Sequence, residues 1–459
     1  MQKGSNLYIY VTALSANLFT FGVGIGYGWS SPALPKLSGS VDPEQNPLPE
    51  PATVSEQSWM ASLLSLGAMT SPIVTALLAE KIGRKKTLLI FSLPMVASHL
   101  IMVFANKVFH FYIARFLIGV SVGCMFTVIP VFAAEISQKH NRGVVGLILN
   151  VMMTCGHLMA AVVGPYVTIS ALSIISLVPI VAFLVIFGLF IPETPYFYAL
   201  IDNKTEAERS LMRLRRTASV EQELTEIIKS VKELKLSQNR NFVELFTDRY
   251  HLKTLVWVIF VLFFQQFTGM IYIISYTQKI FDTANTPLSG DVEVMIFTAV
   301  QLVAVLFSTQ TVDRIARKVL MIGSLVLMLL PNAAMAIYFN LLDSDYDVSV
   351  VSWIPVAALI VFISAYNLGI GPLGFVFEGE IFDPNVKAWG VTVGTCFKLL
   401  VQFLAAMFMP SLSQALGFFV PFWIFAGFTL IGIVFIRICI PETKGKSFLE
   451  IQHYVRNKK

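Results

Sequence analysis

The stretch Glu80-Lys81-Ile82-Gly83-Arg84-Lys85-Lys86 returns later in the chain as Asp313-Arg314-Ile315-Ala316-Arg317-Lys318. Each copy sets an acid, two spacers and a small residue before paired bases, and each directly follows a long apolar run. The repetition extends outward from there. Glu135…Arg142-Gly143 stands two runs further on in the first half, and Glu380…Lys387 in the second. Pro192-Glu193-Thr194 closes the sixth run, and Pro441-Glu442-Thr443 closes the last. Chance does not place matching charged motifs at matching places in two halves, so the chain reads as a duplication.

The composition says what kind of halves these are. Of 459 residues, 56% are hydrophobic and 13% charged, against about 45–50% and about 25% in soluble domains. The apolar residues lie in blocks at 7–28, 58–79, 87–105, 109–133, 144–166, 170–191, 252–281, 292–311, 319–339, 352–377, 386–409 and 417–440. Each block approaches or exceeds the roughly 20 residues a helix needs to cross a bilayer. Uniformly apolar blocks of that length are helices rather than alternating barrel strands. The reading is an all-α polytopic membrane protein: twelve transmembrane helices in two pseudo-symmetric six-helix halves. The expected divisions are 1–191 for the first half, 192–250 for a helical linker, 251–441 for the second half and 442–459 for a tail. In the linker, Leu211, Leu214, Val220, Leu224, Ile227, Ile228 and Val231 are spaced as on short amphipathic helices. Inverted or duplicated halves of this kind place a substrate between them near mid-membrane.

Lys and Arg gather after the second, fourth and eighth blocks, in the linker and in the tail, whereas the alternate loops hold few bases. The positive-inside rule then puts both termini in the cytosol. The first block is long and lacks a small-residue cleavage pattern, so it reads as a retained span. Cys124, Cys155, Cys396 and Cys439 lie far apart inside apolar blocks, which fits packing and not a disulfide framework or a zinc site. No nucleophile–base set, metal cluster or phosphate loop stands in the wet parts of the chain. Neither an enzyme nor a cofactor is expected, nor a nucleic-acid partner.

The motifs together resemble the sugar porter branch of the major facilitator superfamily, the facilitative glucose transporters. They comprise Arg115-Phe-Leu-Ile-Gly119, Pro130…Glu135, Pro192-Glu-Thr-Pro195, Gln265-Gln266…Gly269, Gly371-Pro372…Glu380 and Pro441-Glu-Thr-Lys-Gly-Lys446. Within that branch, Gly28-Trp-Ser-Ser-Pro-Ala-Leu-Pro-Lys-Leu37 is most similar to insect facilitated trehalose transporters. The resemblance covers essentially the whole chain. It implies the major facilitator fold, a plasma-membrane location, a small-molecule sugar as substrate and the bilayer as surroundings; oligomeric state stays open.

A sugar site needs donors and acceptors in a wet cavity, and amides offer both. Adjacent amides inside a span are costly unless they pair or face water, which singles out Gln265 and Gln266. The resemblance adds Asn150 in the fifth span, Gln301 in the eighth, Tyr276 after the amide pair, Phe375 as a cavity-wall aromatic where tryptophan is usual, and Lys398 where asparagine is usual. It also implies a gate network of Arg84, Glu135, Arg142, Glu193, Arg317, Glu380, Lys387 and Glu442. Charges of opposite sign at the cytosolic helix ends are expected to pair across the halves, Glu135 with Arg84 or Arg317 and Glu380 with Arg142, biasing one packing over another by a few kcal/mol at most.

Departures from the family pattern matter as much. Ile271 replaces an asparagine, Tyr196 an arginine, and Glu378 adds a carboxylate in the tenth span. Lys398 in mid-span costs roughly 2.5–3.5 kcal/mol unless a cavity or partner receives it; Glu378 is one candidate partner, and snorkelling of the lysine is the alternative. Proton-linked sugar porters carry an aspartate after Gly-Tyr in the first span; here Gly26-Tyr27 leads to Gly28, and Arg115 keeps its place without that aspartate. His157 reads as a packed hydrogen-bonding group. These residues favour facilitated uniport of a sugar such as trehalose or glucose, with a transport-deficient sensor or a proton-coupled symporter as the alternatives.

Overall fold

The computed structural model describes residues 7–40, 45–138, 140–217, 219–236, 243–383 and 386–444, together with 446, 450 and 455. Among them there are helices and turns and no strand. Eleven helices are long and apolar enough to cross a membrane. A twelfth span forms if Val54–Thr70 and Pro72–Ile82, which meet at a 42° bend, are taken together. The bend falls where Pro72 follows Ser71, since proline removes a ladder donor and crowds the preceding turn. The second span starts on a capping box: the Thr53 side chain accepts from the N–H of Glu56, and Glu56 Oε2 accepts from the N–H of Thr53. Every block expected from the sequence carries a spanning helix.

Three spans are interrupted in ways that matter for the site. The first runs Leu7–Gly28 and then Ser30–Leu37. The seventh runs Arg249–Gln266 and then Met270–Thr283, joined at Gly269 with φ +101°, with a further non-helical residue at Tyr276. The tenth runs Ile354–Leu368 and then Ile370–Ile381 across Gly369. Each interruption frees backbone groups that a continuous helix would satisfy itself, and inside a membrane protein these need other partners. Ser324 Oγ accepts from the N–H of Ile370 at 3.0 Å.

Within the first half the second span packs on the fourth and the first on the fifth; within the second half the ninth packs on the tenth and the twelfth. Between halves, the principal contacts are the second span with the eleventh and the fifth with the eighth. The linker helices Pro195–Leu200, Lys204–Arg215 and Glu221–Leu236 share a small core of their own, built on Ala207, Leu211, Val220, Leu224, Ile227 and Val231. They sit at the end of the bundle marked by Arg84 and Arg317, called the linker end below.

Candidate functional site

At the linker end, the motif charges divide into two kinds of contact, and each kind occurs once per half. The first kind is an ion pair. Arg84 Nη2 and Nε donate to Glu135 Oε1 at 2.8 and 3.1 Å, and Thr194 Oγ1 donates to Glu135 Oε2 at 2.5 Å. In the second half, the Arg317 guanidinium pairs with Glu380. The second kind is a carboxylate over a helix start. Glu193 Oε2 accepts from the N–H of Lys85 at 2.9 Å, and Glu442 accepts from the N–H groups of Arg317 and Lys318 at 2.9 and 3.0 Å. Those amides open the third and ninth spans, where unpaired N–H groups and the helix dipole favour an anion. Gly83, at φ +101°, lets the backbone turn tightly enough for this contact, and Glu193 fills the space where a Cβ would stand. Burial pushes the Glu193 carboxyl above the ordinary carboxylate range, while the N–H groups of Thr194 and Lys85 work against that rise.

Of the two partners expected for Glu135, Arg84 is the one it meets, whereas Glu380 pairs with Arg317 of its own half and not with Arg142, so the expected pairing across the halves is overturned. Arg142 and Lys387 are exposed at the starts of the fifth and eleventh spans and form no ion pair among the described residues. The side chain of Asp313, the repeat's acid, lies outside the described residues.

At mid-span, the seventh and tenth spans meet at their interruptions. Gln265, buried, donates from Nε2 to the freed carbonyls of Ile370 at 3.0 Å and Gly371 at 2.7 Å. Gln266 Nε2 lies 3.4 Å from Gln265 Oε1, and the Tyr366 hydroxyl neighbours Gln266. Gln265 therefore holds the break of the tenth span as well as standing at the proposed sugar position. Tyr276 is buried beside Ser58 with no hydrogen bond of ordinary geometry. With Tyr272, Ser413 and Gln414 it lines a cleft of about 130 Å³.

Lys398 is 5% exposed, and its Nζ lies 3.8 Å from the centroid of Phe375 and 5.2 Å from that of Phe126. The two rings stack at 6.2 Å and 21°, bridging the fourth and tenth spans and hence the halves. A cation over aromatic faces gains most when desolvated, about 2 kcal/mol or more. Glu378, 2% exposed, does not form an ion pair with Lys398. Its Oε1 is sealed without a hydrogen-bond partner. In place of a direct ion pair the lysine has aromatic cover, and Glu378 Oε1 fills the space where a Cβ on Gly394 would stand, one turn from Lys398 on the eleventh span.

Gln301 meets His157 rather than standing open: His157 Nδ1 and Gln301 Oε1 are 3.0 Å apart, joining the fifth and eighth spans. Asn150 is exposed, two turns before His157 on the same face of the fifth span. Arg115 is buried without a carboxylate. It donates to Met60 O at 2.8 Å, Gly26 O at 2.6 Å and Ser30 Oγ at 2.9 Å, with Trp29 beneath it at 5.1 Å.

Phe126, Thr194, Tyr366 and the acceptor set of Arg115 were not singled out from sequence. Phe126 is one of 37 phenylalanines, and nothing local marks it. Thr194 belongs to the Pro192-Glu193-Thr194 motif, but only the fold shows that its hydroxyl serves Glu135.

Comparison with known proteins gives the family. The family model for sugar (and other) transporters matches residues 9–454. The chain belongs to that family. It is 31% identical to a facilitated trehalose transporter of Polypedilum vanderplanki over 450 residues, 97% of this chain and 88% of that protein. It is 30% identical to a facilitated trehalose transporter homologue of Drosophila simulans, covering 96% and 90%. Against the Anopheles gambiae facilitated trehalose transporter, identity is 29% and the chain spans 56% of that protein's length. Among solved structures, the inward-open xylose transporter of E. coli superposes with a TM-score of 0.79 at 18% identity, covering 97% of this chain and 99% of that one. The chain is thus a multi-pass membrane protein of the major facilitator fold, a sugar transporter and not an enzyme.

Proposed function

We propose that this transporter is a uniporter of trehalose, glucose or a related sugar, working by alternating access in the plasma membrane with the linker end in the cytosol. The observation that carries uniport is the surroundings of Arg115. Three neutral oxygens and an aromatic face receive the guanidinium, and the place of a first-span carboxylate is closed: a Cβ on Gly28 would lie 2.6 Å from His157 Cδ2. With no acid there, the proton-linked arrangement of the family has no seat. Trehalose as a substrate rests on the relatives at about 30% identity.

The two kinds of linker-end contact support alternating access. Each half closes its own charges upon itself, so the halves are free to separate there, while Ser31 Oγ meets the N–H of Gln278 at 3.2 Å and Trp59 packs on Phe403 toward the other end. Sugar would bind between Gln266, Gln301, Asn150, Tyr276, Phe375 and Lys398.

The test is uptake of radiolabelled trehalose and glucose into oocytes expressing the chain, with and without an imposed proton gradient, beside a Gln266→Ala control. Saturable uptake that ignores the gradient and falls in the control is the expected result. Uptake that rises with inward proton flow would replace uniport with symport. Absence of uptake despite surface expression would point to a sensor.

A further inference from the structure

We propose that His157 is a positioning residue for sugar recognition: it fixes which end of the Gln301 amide faces the space between the halves. The inference rests on the reading of Gln301 as a sugar-binding residue and goes beyond it, because it assigns the chemistry Gln301 offers.

An amide side chain has one accepting and one donating end, and nothing in its shape prefers either. A neighbour that donates on one side decides the matter. Here His157 Nδ1 faces Gln301 Oε1 at 3.0 Å. The oxygen has no proton to give, so Nδ1 carries the proton of this bond. Gln301 Nε2 makes no hydrogen bond with the described residues and is not among the side-chain atoms sealed from open space. The end left for a ligand is therefore the donor end, and the sugar oxygen that meets it is an acceptor.

The imidazole is itself held in place. His157 is 5% exposed, its Cδ2 lies against Gly28, and Gly24 and Gly156 bring the first and fifth spans into backbone contact on the same side. The absence of a Cβ at position 28 gives the ring its room, so the position without the aspartate of proton-linked relatives is filled by a residue that orients an amide instead. The bond also runs from one half to the other, so the amide is oriented only while the fifth and eighth spans are together.

Deoxy and fluoro analogues of glucose test this directly, as competitors of radiolabelled glucose uptake. Fluorine accepts a hydrogen bond but cannot donate one; a deoxy carbon does neither. At the hydroxyl that meets Gln301, the fluoro analogue should compete nearly as well as glucose, and the deoxy analogue about 3–10-fold more weakly, the size of one neutral hydrogen bond. In His157→Leu the amide is released to turn, and the fluoro and deoxy analogues should converge at that position alone. Gln301→Glu, of the same shape but with an oxygen in place of Nε2, removes the donor and should abolish the fluoro advantage; it serves if the leucine variant fails to reach the surface. A fluoro–deoxy difference unchanged in both His157→Leu and Gln301→Glu would overturn the proposal while leaving sugar uniport intact, as would a wild type with no such difference at any hydroxyl. Absence of any sugar uptake in the wild type would overturn the transport reading itself, and this inference with it.

Discussion

The ammonium of Lys398 lies 3.8 Å from the centre of the Phe375 ring, while the carboxylate of Glu378, the nearby opposite charge, remains without a hydrogen bond on Oε1. Both groups are nearly sealed, so each carries a desolvation penalty that the other's field offsets only in part. Lys398→Asn alone should leave Glu378 as the uncompensated charge and lower the melting temperature of the detergent-solubilised protein. The double variant Lys398→Asn with Glu378→Val should recover most of the loss. A coupling of about 1–3 kcal/mol between the two sites is expected from a double-mutant cycle. Strict additivity would mean that the two charges do not feel one another.

Gln265 should prove to be a stability residue before it proves a binding residue. Gln265→Ala removes the donor that holds the carbonyls of Ile370 and Gly371. Each orphaned buried carbonyl costs about 1–3 kcal/mol. Melting without sugar should fall for Gln265→Ala and change little for Gln266→Ala, whose bond to Gln265 is long. Equal melting of both variants would return Gln265 to a purely binding role.

The two capping glutamates should differ in weight. Glu193→Ala takes a carboxylate from the N–H groups of Lys85 and Thr194 and unseats a buried side chain. Glu442 is less buried. Loss of an N-terminal cap costs about 0.5–2 kcal/mol, and Glu193→Ala should lie at or above the upper end with Glu442→Ala below it. Thermal unfolding of the two variants side by side decides the order.

Gly28→Ala should depress uptake at least as strongly as loss of a binding residue. Its methyl would stand 2.6 Å from His157 Cδ2 and 2.9 Å from Ala160 Cβ. Adding His157→Ala should recover part of the activity and not all of it, since Ala160 remains. Full uptake by Gly28→Ala would show that the first and fifth spans yield more easily than their packing implies.

The fold was legible because span length and charged repeats are one-dimensional signals: an apolar block longer than a bilayer is thick has few alternatives, and a motif that recurs marks its own symmetry. The charged residues of the linker end were legible as a set but not as pairs. Sequence spacing brings Glu380 and Arg142 into the same layer, and only the packing of the ninth span on the tenth decides that Arg317 is nearer. Gln265 was legible as an amide that needs partners, but the break at Gly369 that supplies them depends on Ser324, two spans' worth of chain away. Lys398 was rightly marked as costly; its relief by Phe126 was hidden because an aromatic in an apolar span looks like every other. The bond between His157 and Gln301 joins opposite halves, and no local pattern reports a contact of that range.

The linker carries one more implication. Ser210 Oγ donates to Glu193 O, Arg213 to Phe190 O and Arg215 to Ile136 O, so its helices are fastened to the fourth and sixth spans. In the rocking proposed above, these bonds would carry the helix Lys204–Arg215, and the linker core built on it, with the first half as cargo. A fluorophore on the Glu221–Leu236 helix would keep a constant distance to the first half through a transport cycle and change its distance to the second.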